Sequence, residues 1–213
     1  MLVALKPNSV KFRFIVTLIT NILRIGLAFS AGVIIARSLG PAQYGNFNFL
    51  LGSFTALIAL VDVASSSAFY TILSKEKQGI SFFLHYVIWL MIQLLILVTI
   101  VLLLPETIKN KIWVGHSDSL IMLALIASFS MIKIWQFSTQ IGESIRDTLR
   151  VQARNFILAA IYLISVLLLA LYNVMDLKGL FVLNAILYFL FSILYAVRVF
   201  KIGEFSTVKR KDF

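Results

Sequence analysis

Residues 82–104, FFLHYVIWLMIQLLILVTIVLLL, run for 23 positions without a formal charge. About 20 mostly apolar residues in a helix cross a bilayer core, and such a run has no stable place on a water-soluble surface. Five further segments of similar character follow the same rule: 12–36, 45–64, 119–140, 155–174 and 180–199. Exposed backbone polar groups cannot go unsatisfied in hydrocarbon, so helices are the expected form. The runs are too long and too uninterrupted for the ten-residue strands of an outer-membrane barrel. The expected fold class is therefore an all-α polytopic membrane protein. A six-helix bundle fills residues 1–200, and a basic cytoplasmic tail fills 201–213.

Composition agrees. The chain is 61% hydrophobic and 13% charged, whereas soluble domains are nearer half and a quarter. A net charge of +10 on a soluble protein would suggest nucleic acid. Here the charges fall mostly between apolar runs, with no nucleic-acid-binding motif, so a nucleic-acid partner is not expected. The absence of cysteine excludes disulfides, iron–sulfur clusters and a thiol nucleophile. His85 and His116 have no carboxylates beside them at ligand spacing, so neither a metal site nor a cofactor is expected. Lys6, Lys11 and Arg13 before an apolar run look at first like a signal peptide. Arg24 interrupts that run and the apolar pattern continues beyond signal length, which favours an uncleaved first span.

The connections alternate in charge. Thirteen Lys and Arg residues lie before span one, between spans two and three, between four and five, and after span six; the opposite side holds Arg37, Lys109, Lys111 and Lys178. The positive-inside rule then places both termini in the cytoplasm. The loop PETIKNKIWVGHSD (105–118) is the largest on the outer side, with Trp113 expected at the interface. In GESIRDTLRVQAR (142–154), Arg146, Arg150 and Arg154 recur at i, i+4 and i+8. That spacing predicts a short amphipathic helix drawn to anionic lipid headgroups.

Ionisable residues within spans cost about 2.5–3.5 kcal/mol at the bilayer centre and so mark function. Arg24 sits in span one, with Thr17, Thr20 and Asn21 along its face. Span four carries Ser130, Lys133, Gln136 and Gln140, spaced by three, three and four. Both stripes are candidate linings of a watery cavity. Interhelical pairing of Arg24 and snorkelling of Lys133 are the structural alternatives. Asp62, the only acidic residue within a span, could pair with Arg24, bind a coupling cation or cap a helix. Gln93 and Asn184 are expected to bond between helices. No Ser/His/Asp set and no paired carboxylates share a face, so no enzymatic activity is expected.

The stretch NILRIGLAFSAGVIIARSLGPAQYGNFNFLLGSFTALIALVD resembles the N-terminus of bacterial polysaccharide transporters. These are the O-antigen and teichoic-acid lipid-linked sugar flippases of the multidrug/oligosaccharidyl-lipid/polysaccharide exporter superfamily. The resemblance rests on Ala36, Arg37, Leu39, Gly40, Pro41, Tyr44 and Gly45 of ARSLGPAQYG, on the preceding Asn21 and Arg24, and on Asp62. Residues 75–213 agree in hydropathy and topology alone. Family members commonly place a glycine two residues after the aspartate, where this chain has Ala64. They also have twelve or more spans in two lobes, so this chain corresponds to the N-terminal lobe of a MATE-like flippase fold.

The resemblance implies translocation of a polyprenyl-pyrophosphate-linked oligosaccharide for surface polysaccharide such as lipopolysaccharide O-antigen. The setting would be the bacterial inner (cytoplasmic) membrane. Arg24, with Asn21 and Lys133 behind it, would meet the pyrophosphate, and Gln136 and Gln140 would line the same cavity. Besides that substrate and membrane lipids, a second copy or a separate second-half chain is an allowed partner, since six spans permit parallel insertion; the plainer alternative is a truncated chain without activity alone. A reading from a different class is a non-transporting scaffold that docks polysaccharide-assembly proteins on the basic loops.

Overall fold

The computed structural model describes residues 10–76 and 78–201, and among these the chain is helical with no strands. The basic residue Lys6 and the tail residues 202–213 lie outside that range. In chain order the helices are α1 (Val10–Asp62), α2 (Ser65–Lys75), α3 (Ile80–Leu103), α4 (Glu106–Ile112), α5 (Asp118–Phe129), α6 (Trp135–Ser144), α7 (Thr148–Leu171) and α8 (Leu177–Lys201). A π-helical turn, Ser130–Ile134, joins α5 to α6 without a break. Five elements are long and apolar enough to cross a membrane: α1, α3, the continuous α5–α6 rod, α7 and α8.

Where two segments, 12–36 and 45–64, are expected, the structure has the single 53-residue element α1, interrupted at Gly40. Gly40 has φ 74° and ψ 169°. Its positive φ is as expected from a helix-ending glycine, but its ψ lies outside the left-handed helical basin, in a region essentially restricted to glycine. Pro41 follows, where its missing N–H and fixed φ suit the first turn of a restarting helix. The chain turns back here. A β-carbon on Gly32 would lie 3.8 Å from the Tyr44 hydroxyl, although twelve residues of unbroken helix would separate them by about 18 Å.

The two arms of α1 are buried differently. In the arm after Gly40, Phe47, Leu50, Phe54 and Ile58 recur at helical spacing and are at most 5% exposed. That stripe is central to the core, and Phe47 stacks obliquely on Phe181 of α8. In the arm before Gly40, Ala31 and Ile35 are buried near its end, while Phe14, Ile22, Ile25 and Phe29 are at least 60% exposed. Exposed apolar side chains of this kind are suited to lipid rather than water.

Two loop expectations are corrected. Trp113 is 2% exposed, not interfacial. The short helix α4 folds its ring inward, where it stacks on Phe54 and its Nε1–H donates to the Ser53 hydroxyl at 3.1 Å. Burying the indole against a hydroxyl satisfies its one donor, which an interfacial site would leave to water. Lys109 and Asp118 close the same loop at 3.5 Å. Residues 142–154 do not form a separate amphipathic helix: α6 ends at Ser144, Arg146 adopts φ 60°, and α7 begins at Thr148. The Asp147 N–H bonds the Gly142 carbonyl at 2.9 Å, and its carboxylate meets Arg150 at 3.3 Å. Arg154 turns inward and stacks on Tyr195 and Trp135.

Candidate functional site: an ion pair at a broken helix

α1 ends at Asp62, and Val63 and Ala64 both take left-handed φ, 42° and 59°. This reverses the chain locally and starts α2 at Ser65. Such conformations are costly for side chains with a β-carbon, so something must hold them. The holding group is the Asp62 carboxylate. Its Oδ1 accepts from the Ser65 hydroxyl at 2.6 Å, the Ser66 hydroxyl at 3.0 Å and the Ser66 N–H at 3.3 Å. A carboxylate accepting from an amide in the first turn of a helix, next to its positive dipole end, is a stabilising cap. Ala64 therefore occupies a turn that glycine would accept more readily, and the turn forms all the same.

Lys133 reaches this cap from the π-turn. Its ammonium pairs with Asp62 and donates to the Ser66 hydroxyl at 2.9 Å. The Lys133 side chain is 3% exposed and that of Asp62 is 19% exposed, so the pair lies inside the bundle with one edge open. A π-turn inserts an extra residue into the helix and often marks a functional position. The cluster is completed from two further helices. Tyr86 of α3 donates to the Ser66 hydroxyl at 3.3 Å, Gln93 of α3 to the Ser65 hydroxyl at 3.0 Å, and Gln140 of α6 to the Ser66 carbonyl at 3.2 Å. Beside it, Phe69, Phe82, Phe83, Tyr86 and Phe137 form an aromatic wall, with Phe69 stacked on Tyr86 at 3.9 Å. That wall keeps the dielectric low, which strengthens the pair and makes loss of either partner expensive.

The structure thus brings Asp62, Lys133 and Gln140 together. Gln136 is half-buried one turn from Lys133, and its carbonyl accepts from Thr139. Arg24 and Asn21 stand apart. Arg24 is half-buried on the exposed arm of α1, bonded to the Asn21 side chain at 3.3 Å, with Tyr188 of α8 close enough to feel its charge. Among the described residues no ion pair joins Arg24 to Asp62; the aspartate's cation is Lys133. In ARSLGPAQYG, Leu39 and Tyr44 pack on the core, Ala36 and Gly40 are half-buried, and Arg37, Pro41 and Gly45 are exposed.

Sequence reasoning missed Ser65, Ser66 and Tyr86. The signal for the serines was there, since Asp followed by Ser at i+3 and i+4 is a cap-like spacing, but the apolar-run criterion assigned Ser65 and Ser66 to a loop. Tyr86 carries no such mark; only the packing of α3 brings it to Ser66. Among the described residues, no group of three His, Asp or Glu could hold a metal ion. No family model matches the chain, and no curated protein or solved structure shows significant similarity to it.

Proposed function

We propose that this chain is a transport element of the bacterial cytoplasmic membrane. It moves a polyprenyl-pyrophosphate-linked oligosaccharide across the bilayer for cell-surface polysaccharide synthesis. The observation that carries the reading is the Asp62–Lys133 pair, buried where one helix breaks and another carries a π-turn. Ionisable pairs inside apolar bundles mark substrate and ion pathways, and interrupted helices are where transporters build their sites.

The topology supports the reading. At 53 residues α1 would measure about 80 Å if straight, far more than a hydrocarbon core of about 30 Å. Counting its two arms as separate crossings gives six, with both termini cytoplasmic, in the manner of one MATE-like lobe. A second lobe, from another copy or a separate chain, would face the exposed arm that carries Arg24. Among the described residues Arg24 has no carboxylate partner, so its guanidinium suits a pyrophosphate. The substrate class rests on the ARSLGPAQYG resemblance.

The test is reconstitution in vesicles with a fluorescent polyprenyl-pyrophosphate oligosaccharide, read by an impermeant quencher. Wild-type protein accelerates loss of the protected fraction, and Arg24→Glu abolishes the acceleration while the protein remains folded. Vesicles with wild-type protein that behave like empty ones refute the transport reading. A scaffold would show no acceleration in either form.

A further inference from the structure

The oxygens around the broken helix (the Asp62 carboxylate, the Ser65 and Ser66 hydroxyls and the Ser66 carbonyl) are the kind that bind a hard cation. That place is already filled. The Lys133 ammonium bonds Asp62 and the Ser66 hydroxyl, and a cation tethered to the same bundle outcompetes one in solution through its effective concentration. The Asp62 side chain remains 19% exposed while Lys133 is sealed at 3%. The acid of the pair therefore has an open edge, whereas its base is closed off.

We infer that this site takes a proton, not a metal cation, and that protonation of Asp62 releases α2 from the α5–α6 rod. The inference rests on the transport reading and names its coupling ion. In the step, a hydronium ion gives its proton to the Asp62 carboxylate and leaves as water. The site passes from neutral to singly positive, and no other bond is made or broken. Oδ1 then loses most of its power to hold the Ser65 and Ser66 hydroxyls, the Ser66 N–H and Lys133 together. The left-handed turn at Val63 and Ala64 loses the group that held it. Lys133 becomes an uncompensated cation, free to meet an anionic substrate.

Two buried acceptors stand ready for the released donors. The Oε1 atoms of Gln93 and Gln140 are buried without a hydrogen-bond partner, although both side chains already touch the cluster through Nε2. Gln93 is 1% exposed. Among the described residues, the ionisable groups facing Asp62 are Lys133 from the π-turn and Tyr86 from α3; the contributions of α2 and α6 are the neutral Ser65, Ser66 and Gln140.

The experiment is hydrogen–deuterium exchange of the full chain in lipid nanodiscs, following the amides of 65–75 and correcting for the intrinsic pH dependence of exchange. One series lowers the pH at fixed sodium; the other raises sodium at fixed pH. Exchange in wild-type α2 should rise severalfold on acidification and ignore sodium. Asp62→Asn should exchange fast at every pH. The charge-neutral double variant Asp62→Asn/Lys133→Met, which avoids a stranded lysine, should also be insensitive to pH. A wild-type response to sodium, a flat wild-type pH series, or a pH response that survives in the double variant would each overturn the inference. None of these readouts uses the oligosaccharide, so failure here is separable from failure of the flipping assay.

Discussion

Arg24 and Lys133 are both cations placed in apolar helices, yet their surroundings differ. Lys133 is 3% exposed, and Asp62 and Ser66 hold its ammonium. Arg24 is half-buried on the outer arm of α1, with Asn21 of the same helix as its hydrogen-bond acceptor. A fully enclosed charge must bring its counter-charge from another part of the chain, because desolvation costs several kcal/mol per ion. A charge at the margin of the bundle can rely on a neighbour one turn away and keep capacity for something else. The first arrangement joins helices. The second leaves a cation available.

That contrast can be broken from its strong side first. Lys133→Ala strands the Asp62 carboxylate among buried groups and should lower stability by about 3–5 kcal/mol, read as a drop in thermal unfolding temperature in detergent. Asp62→Asn/Lys133→Met should recover the part of that loss that comes from the stranded charge, although α2 stays loosened; no recovery would mean that stranding the carboxylate is not what destabilises Lys133→Ala. Next is the hinge between the arms. Gly40→Ala meets no atom within 4 Å, so its cost is conformational alone. We expect about 1–3 kcal/mol, since alanine tolerates φ 74° with ψ 169° poorly. A neutral result would show that the hinge relaxes.

Smaller effects sharpen the comparison. Ala64→Gly relieves a left-handed alanine with φ 59° and ψ 13° and should stabilise by about 1 kcal/mol in the same unfolding measurement. Arg24→Gln should shift stability by less than about 0.5 kcal/mol, as for a surface change, while slowing flipping in vesicles. A large loss of stability there would place Arg24 with Lys133 as a structural cation.

The apolar run of 82–104 reads directly as α3, because length and hydropathy are local properties. The stripe at Lys133 and Gln140 was legible for the same reason: helical spacing puts both on one side. The partner of Lys133 was not legible. Asp62 lies 71 positions away in sequence, and no local rule ranks Lys133 above Arg24 as its cation. Trp113 shows the same limit, since an interfacial tryptophan and one folded back onto Ser53 and Phe54 have the same local sequence.

The sequence by itself determined that this chain is helical and apolar enough for a membrane, that its first apolar stretch is interrupted between residues 36 and 45, where Gly40 and Pro41 lie, and which charges fall inside its apolar runs. These follow from hydropathy, from glycine's access to positive φ and from proline's missing donor, all properties of a few adjacent residues. Tertiary structure alone decided that Asp62 meets Lys133 across the Val63–Ala64 turn, with Ser65, Ser66, Tyr86, Gln93 and Gln140 around them. A buried charge is stable only with its counter-charge and donors in place, and helix packing is what brings α1, α2, α3 and the α5–α6 rod to one point.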